Sequence, residues 1–286
     1  MTEPVGTPAR AAGETAAGAD QYFLGYRAAE QRRLQHQAER LAGEAAWLFD
    51  RVGPLEGASV VELGTGPRGN LDALAERVGP TGTVVGVELN GEAVALARRL
   101  IAERGLQNVK PMHGDARSSG LPGGYFDLAT ARLVLVNVPQ PEQIVAEAVR
   151  LTRPGGTVAF HEADALTRIS DPPLYAWTRL MDLLGQYAES NGIDLFVGRR
   201  LPTLLRGAGL VDIQSRPIVH IDPPGHPRRS ILPNFVENLK ERLIGHGLIA
   251  RDELEQLQAD LRRHIDDPDT LVLSDLFVQA WGRKPD

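Results

Sequence analysis

Val60-Val61-Glu62-Leu63-Gly64-Thr65-Gly66-Pro67-Arg68-Gly69 is the stretch whose reading decides the fold. It closes a mostly apolar run, Ala58–Leu63, of the kind that forms a strand buried on both faces. The glycines then allow a sharp turn and let a ligand lie against bare backbone where a helix begins. That helix start would offer unpaired N–H groups and a partial positive charge. About twenty residues on, the spacing that the dinucleotide fingerprint requires, the next apolar run, Thr83–Val87, ends in Glu88. A carboxylate there is placed to accept from ribose hydroxyls. Taken alone, Gly64-x-Gly66-x-x-Gly69 followed by Glu88 satisfies the NAD fingerprint, so the flanking sequence must discriminate.

Outward from this turn the pattern repeats. Asn108–Met112, Phe126–Thr130 and Thr157–Phe160 are short, mostly apolar runs flanked by glycine, proline or polar residues. Helical stretches lie between them. The clearest is Glu92–Arg104, with Ala93, Val94, Ala97, Leu100 and Ile101 on one face and Gly105 as its stop. Gln143–Leu151 is another, closed by Pro154-Gly155-Gly156. Strands alternating with helices at this pitch predict a parallel sheet with helices on both faces. After Glu162 the alternation loosens into helical Pro172–Ser190 and Leu201–Gly207, a strand at Val211–Val219, a helical pair at Arg228–His246 and Asp252–His264, and a last strand at Leu271–Trp281. Upstream, Tyr26–Asp50 is an amphipathic helix with Leu34, Leu41, Ala45 and Leu48 at helical spacing. Residues 1–20 are Ala/Gly/Thr/Pro-rich and expected to be a disordered tail, leaving 21–286 as one domain.

Composition narrows the function classes. Of 286 residues, 31 are Lys or Arg and 37 Asp or Glu, a net charge of −6 that argues against a surface built to neutralise nucleic-acid phosphates. The absence of cysteine excludes disulfides, iron–sulfur clusters, zinc–thiolate sites and a thiolate nucleophile, and no metal site is expected. The first twenty residues lack the apolar core of a signal peptide, and no stretch reaches ~18 uninterrupted apolar residues. A soluble cytoplasmic protein with neither a membrane nor a nucleic-acid partner is the expectation.

Three features point away from NAD. Glu62 stands two residues before the first glycine, where an anion repels a pyrophosphate but suits an ammonium group. Gly114-Asp115-Ala116 follows the third strand, where a carboxylate can accept from an exocyclic adenine amine. Phe126-Asp127-Leu128 opens a fourth strand and Arg153-Pro154-Gly155-Gly156 precedes a fifth. This set resembles the class I S-adenosylmethionine (SAM)-dependent methyltransferases, in the small-molecule branch related to ubiquinone/menaquinone methyltransferases. The resemblance runs from about Tyr22 to Pro285 and includes Arg33-Leu34-x-x-Gln37, Gly198-Arg199-Arg200-Leu201-Pro202 and Gln279-Ala280-Trp281-Gly282-Arg283-Lys284-Pro285. These later motifs are similar to those of bacterial methyltransferases acting on secondary metabolites.

The resemblance implies a Rossmann-like, mostly parallel seven-stranded sheet with its last strand antiparallel. Residues 58–162 would bind SAM, and helical insertions at 163–200 and 222–270 would cover a substrate. Glu62, Gly64 and Gly66 would surround the methionine part of SAM, Glu88 would hold the ribose, Asp115 and Ala116 would flank the adenine, and Arg132 would lie near the sulfonium. Gln37, Thr65, Asn70, Leu89 and Gly114 complete the expected cofactor contacts. Tyr22 and Tyr26 would fold over the cofactor, since aromatic faces suit a sulfonium cation. Many relatives carry histidine where this chain has Asn137. His161 and Asp164, leaving the fifth strand at the edge where ligands bind in such sheets, are therefore the candidate catalytic residues. Arg199 and Arg200 are candidates to grip a substrate carboxylate, and Tyr175, Trp177, Tyr187, Phe196 and Phe235 to line an apolar pocket. Asp127 is expected to be structural.

The expected reaction is methyl transfer to oxygen, nitrogen or activated carbon of a small molecule, leaving S-adenosylhomocysteine (SAH), in a homodimer. Two other readings stay open at this point: a SAM-binding protein that transfers no methyl, of regulatory or pericyclase type, and an NAD-dependent oxidoreductase. The N-terminal helix and the 222–270 cover are expected to close over the ligands and exclude water.

Overall fold

The chain begins with α1 (Ala28–Arg40) and α2 (Ala42–Phe49), followed by β1 (Ser59–Leu63), α3 (Leu71–Val78), β2 (Thr83–Glu88), α4 (Gly91–Glu103), β3 (Val109–His113), β4 (Phe126–Arg132), α5 (Pro141–Leu151) and β5 (Thr152–Asp164). The second part holds β6 (Ile169–Asp171), α6 (Tyr175–Ser190), α7 (Val197–Gly207), β7 (Val211–Ile218), α8 (Ile231–Gly245), α9 (Arg251–Asp266), β8 (Leu271–Leu273) and β9 (Leu276–Arg283). This computed structural model describes residues 28–286, with side chains from residue 34. The tail expected at 1–20 lies outside the described residues.

Seven strands form one sheet in the order β3-β2-β1-β4-β5-β9-β7, and β9 pairs antiparallel with both its neighbours. The other pairings, from β3 to β5, are parallel. β1, β2 and β4 are apolar on both faces because helices cover both; Val60, Val61, Leu63, Val84, Val87, Leu128, Ala129 and Ala131 are fully buried. Burying side chains such as Phe126 and Phe160 contributes about 1.5–3 kcal/mol each. Asp127 is structural, as expected: its carboxylate accepts from Ser59 N (2.8 Å) on β1 and from Arg153 Nε (2.7 Å). Strand order reverses between β1 and β4, and a crevice opens at the carboxyl ends of strands at such a switch point.

Several elements differ from the sequence reading. Tyr26–Asp50 is not one helix, because the described chain breaks at Leu41 between α1 and α2. Leu271–Trp281 is not one strand. Ser274 and Asp275 interrupt it, Ser274 Oγ accepting from His220 N (2.9 Å) and Asp275 pairing with buried Arg168. β8 therefore pairs with β6 in a small second sheet, and only β9 joins the large one. Between β7 and β8 lie a 3₁₀ turn (Pro227–Ser230), α8 and α9. The Arg229 guanidinium closes this segment by donating to the carbonyls of Asp222 (2.8 Å), Ile265 (2.6 Å) and Thr270. α8 and α9 pack against α6, so both late helical stretches lie over the same end of the sheet.

Candidate active site

The glycine turn after β1 is built around two buried carboxylates. Glu62, on the last turnward residues of β1, accepts from Asn70 N (2.8 Å) and Asn70 Nδ2 (2.8 Å). Gly69 has φ +54°, and a Cβ there would lie 2.5 Å from Glu62 Oε2, so this glycine is required by both conformation and space. Burial pushes the Glu62 carboxyl up to about 7, against the opposing pull of the Arg132 charge and the Asn70 bonds. Glu88 closes β2. Its Oε2 accepts from Gly66 N (2.7 Å) and its Oε1 from Asn90 N (2.8 Å). Burial raises its pKa while those backbone bonds lower it. Each Glu88 oxygen keeps a lone pair for a further donor.

Five of the turn's own N–H groups are consumed within the protein. Gly64 N and Thr65 N donate to Val87 O (2.8 and 3.2 Å), Gly66 N to Glu88, Asn70 N to Glu62, and Leu71 N to Arg68 O (3.2 Å). These five amides are therefore not free at the helix start, contrary to the expectation for that turn. A pyrophosphate would also meet the buried carboxylates of Glu62 and Glu88 there, which weighs against the NAD reading.

Two cavities share a wall, and the first of them lies over this turn. The first encloses about 1160 Å³ of empty space, part of it open to solvent. It brings together Gln37, Glu62, Gly64, Thr65, Gly66, Glu88, Leu89, Asp115, Ala116 and Arg132, ten of the expected cofactor residues, from segments spread between α1 and the end of β4. Gly66 has φ +56°, the left-handed region that favours glycine, and a Cβ there would make only ordinary contact with Leu34 (3.5 Å). Asp115 is held by Arg117, through its N–H (2.9 Å) and a two-pronged guanidinium contact, which lowers its pKa. Arg132 donates to Gly69 O (2.9 Å); burial pulls its pKa down while Glu62 and Glu44 support the cation. The set of acceptors fits SAM: anions for an ammonium and a ribose diol, and a carboxylate beside an apolar slot for adenine.

The second cavity, about 880 Å³, shares Leu34, Gln37, Leu133 and Asn137 with the first. Its remaining wall is mostly apolar, with Leu166, Leu184, Leu195, Ile231, Phe235 and Phe277, and with Arg40, Arg228 and Asp275 as its charged groups. Asp275 is buried and its pKa is raised by desolvation against the pull of Arg168. Asn137 Nδ2 donates to Leu133 O (2.8 Å), steadying a residue at φ +54°.

Other expected site residues lie elsewhere. Asn70 stands behind Glu62, and Gly114 lies behind Glu88, donating its N–H to Glu88 O (3.0 Å); neither lines the cavity. His161 and Asp164 line neither cavity. His161 is buried on the face that meets α2, with Nδ1 3.5 Å from Gln279 Nε2, which donates to Glu44 O. Burial first, and the Arg132 charge next, lower its pKa to about 3, so it is a poor proton acceptor. Asp164 is fully buried and accepts from Arg199 N (2.9 Å) and Nε (2.5 Å) at the start of α7. Arg199 is thereby engaged, and Arg200 pairs with Asp194 and Glu142. Of the five aromatics proposed for a pocket, Phe235 lines one, whereas Tyr175 is exposed and Trp177 and Tyr187 are buried in the core. Tyr22 and Tyr26 lie outside the described residues. The sequence reading gave no role to Glu162, Leu133 or Asp275; the polar pair Ser274-Asp275 inside an apolar run was the available signal for the last.

The fold and site define a class of protein: an α/β domain whose cavity at the strand ends is lined by the buried carboxylates Glu62 and Glu88. The family described as "Methyltransferase domain" matches residues 61–160. The chain is 32% identical over 187 residues to demethylmenaquinone methyltransferase of Anoxybacillus flavithermus, covering 60% of this chain and 79% of that one. It is 37% identical over 113 residues to nocamycin O-methyltransferase of Saccharothrix syringae, covering 40% of each. Among solved structures, phosphoethanolamine N-methyltransferase 2 of Haemonchus contortus superposes with a TM-score of 0.55 at 17% identity, over 85% of this chain and 53% of that one. The chain thus spans about half the length of the nematode protein, and that likeness shows the fold. The chain belongs to the class I SAM-dependent methyltransferases, in the group related to quinone methyltransferases, and its cofactor is SAM.

Proposed function

We propose that the chain transfers a methyl group from SAM, in the first cavity, to a small and largely apolar acceptor in the second. The observation that carries this reading is the shared wall of Leu34, Gln37, Leu133 and Asn137. In this reading Glu62 receives the ammonium group, Glu88 the ribose hydroxyls and Asp115 the adenine amine. Leu89 and Ala116 lie against the adenine ring, with Gln37, Gly64, Thr65, Gly66 and Arg132 completing the enclosure. When bound, the cofactor supplies a methyl group already electrophilic on its sulfonium.

The chain's own share is alignment and exclusion of water, and alignment alone can contribute about 7–11 kcal/mol in well-oriented cases. Neither His161 nor Asp164 takes the acceptor's proton in this scheme, because neither faces a cavity. The likeness to an O-methyltransferase supports oxygen as the receiving atom, and the apolar second cavity supports an acceptor of secondary-metabolite type.

Calorimetric titration with SAH and NADH tests the cofactor; binding of NADH without SAH would overturn the reading. Incubation with SAM and a panel of hydroxylated aromatic and polyketide-like compounds tests transfer, read by mass spectrometry as one added methylene. Tight SAH binding with no methylated product across such a panel would favour the non-transferring alternative.

A further inference from the structure

We infer that Glu162 is the positioning residue that holds the wall between the two cavities, acting through the backbone of the turn after β4. Glu162 is fully buried on β5 and lines neither cavity. Its Oε1 accepts from Val134 N (2.8 Å) and Leu135 N (2.9 Å), and its Oε2 from Val136 N (3.3 Å). One side chain thus ties down three successive amides. The preceding Leu133 is held at φ +54°, a conformation a branched residue keeps only where its surroundings enforce it. Its N–H donates to His161 O (2.8 Å), so both ends of the anchor come from adjacent residues of β5.

This turn is what the cavities have in common. Leu133 and Asn137 face both, Val134 faces the first and Val136 the second. Val134 also occupies the space over the glycine turn: a Cβ on Gly64 would lie 2.6 Å from Val134 Cγ2. Glu162 therefore sets Val134, and Val134 sets the roof over Gly64. A displacement of this turn alters the cofactor cavity and the acceptor cavity together.

The ionised carboxylate is the competent form, because its bonds to the three N–H groups are charge-assisted and weaken when a proton neutralises it. Burial pushes this carboxyl up to about 7 while the three N–H groups pull it down. Strand alternation puts Asp164, held by Arg199, on the same face of β5, and His161 on the opposite one, in register with Arg132. α5 and α7 pack against β5; Arg150 of α5 pairs with Glu147, and Arg200 of α7 with Asp194 and Glu142. Val278 is the partner in register on β9. Glu62, at the cavity, is the other carboxyl raised to about 7.

The test is SAH affinity of wild type, Glu162→Gln and Glu62→Gln between about pH 8 and pH 6, with circular dichroism to confirm folding. Amide hydrogen exchange of Val134–Val136 in the unliganded wild type accompanies it. In Glu162→Gln the side-chain amide must face a backbone donor, so SAH binding weakens about tenfold at the higher pH, the scale of one charge-assisted bond. The fall in affinity on acidification becomes shallower in Glu162→Gln, and the part that remains is absent from the double variant with Glu62→Gln. In wild type, the three amides are protected at high pH and lose protection, relative to neighbouring β5 amides, as pH drops through about 7. Unchanged SAH affinity and pH profile in Glu162→Gln would overturn the inference. If that variant fails to fold, amides in wild type that are unprotected, or whose protection ignores pH, would overturn it equally. The inference rests on the first cavity being the SAM site; failure of wild type to bind SAH would count against that reading, and amide exchange would still decide the role of Glu162.

Discussion

Glu88→Ala separates the cofactor reading from a merely structural one. In the unliganded protein the Glu88 carboxylate holds Gly66 N at 2.7 Å and Asn90 N at 2.8 Å. Its removal strands two sheltered donors, at about 1–3 kcal/mol each, so the variant melts at a lower temperature whatever the cofactor is. Binding carries a separate loss. Glu88 lines the first cavity, and a hydroxyl bonded to a charged acceptor contributes about 1.5–3 kcal/mol. Loss of even one such bond weakens SAH binding at least tenfold, about 1.4 kcal/mol, and loss of both about a hundredfold or more. Isothermal titration with SAH measures this directly, and the ligand-induced rise in melting temperature, compared with wild type, controls for the weakened fold. A variant that melts lower but binds SAH as tightly as wild type would refute the placement of the ribose at Glu88.

Three other perturbations report on different parts of the site. Glu62 has its carboxyl raised from 4.5 to about 7, so its stabilising contribution is full below the unfolded value and is lost as pH rises through about 7. The gain in stability on acidification through about 7 is accordingly absent from Glu62→Gln in urea unfolding compared at about pH 8 and pH 6, while SAH binding weakens; a variant that keeps the wild-type pH dependence and binds normally would contradict this. Gly64→Ala combines a left-handed φ of +70° with a Cβ 2.6 Å from Val134, at about 1–2 kcal/mol for the backbone alone. SAH binding is lost, and adding Val134→Ala restores part of it; strict additivity in that cycle would disprove the contact. Ala165→Phe fills the second cavity only, so methyl transfer stops while SAH affinity stays within about twofold, as for sites without shared partners; an equal loss of both would show that the cavities do not serve separate ligands.

The cofactor half was legible because its signals are local. Gly64, Gly66 and Gly69 all adopt positive φ, and Glu88 ends its strand in the position the spacing required. Asp115 follows β3 and lines the cavity, yet its fixing partner Arg117, two residues away, went unread. The catalytic candidates were less legible. His161, Glu162 and Asp164 follow one another at the end of β5, and residue type alone does not say which face each side chain takes. Pairing with β4 and β9 turns His161 toward α2, and α7 captures Asp164. Glu162, between them, faces the turn after β4 and was assigned nothing.

What the amino-acid sequence determined by itself was the alternation of strands and helices, the glycine turn and the acids spaced around it, because each depends on backbone conformation and burial within a few residues. That was enough for the class of fold and, with the family resemblance, for the expectation of SAM as cofactor. The tertiary structure alone decided that the amides of Gly64, Thr65, Gly66 and Asn70 are spent on Val87, Glu88 and Glu62, that Leu34 and Gln37 of α1 reach both cavities, and that Ala163, Phe235 and Phe277 share one wall. These are contacts between segments far apart in the chain, and their existence depends on the order in which strands pair and on the helices laid across them. A cavity assembled from α1, the end of β5, α6, α8 and β9 has no local pattern to read. Its shape follows from packing.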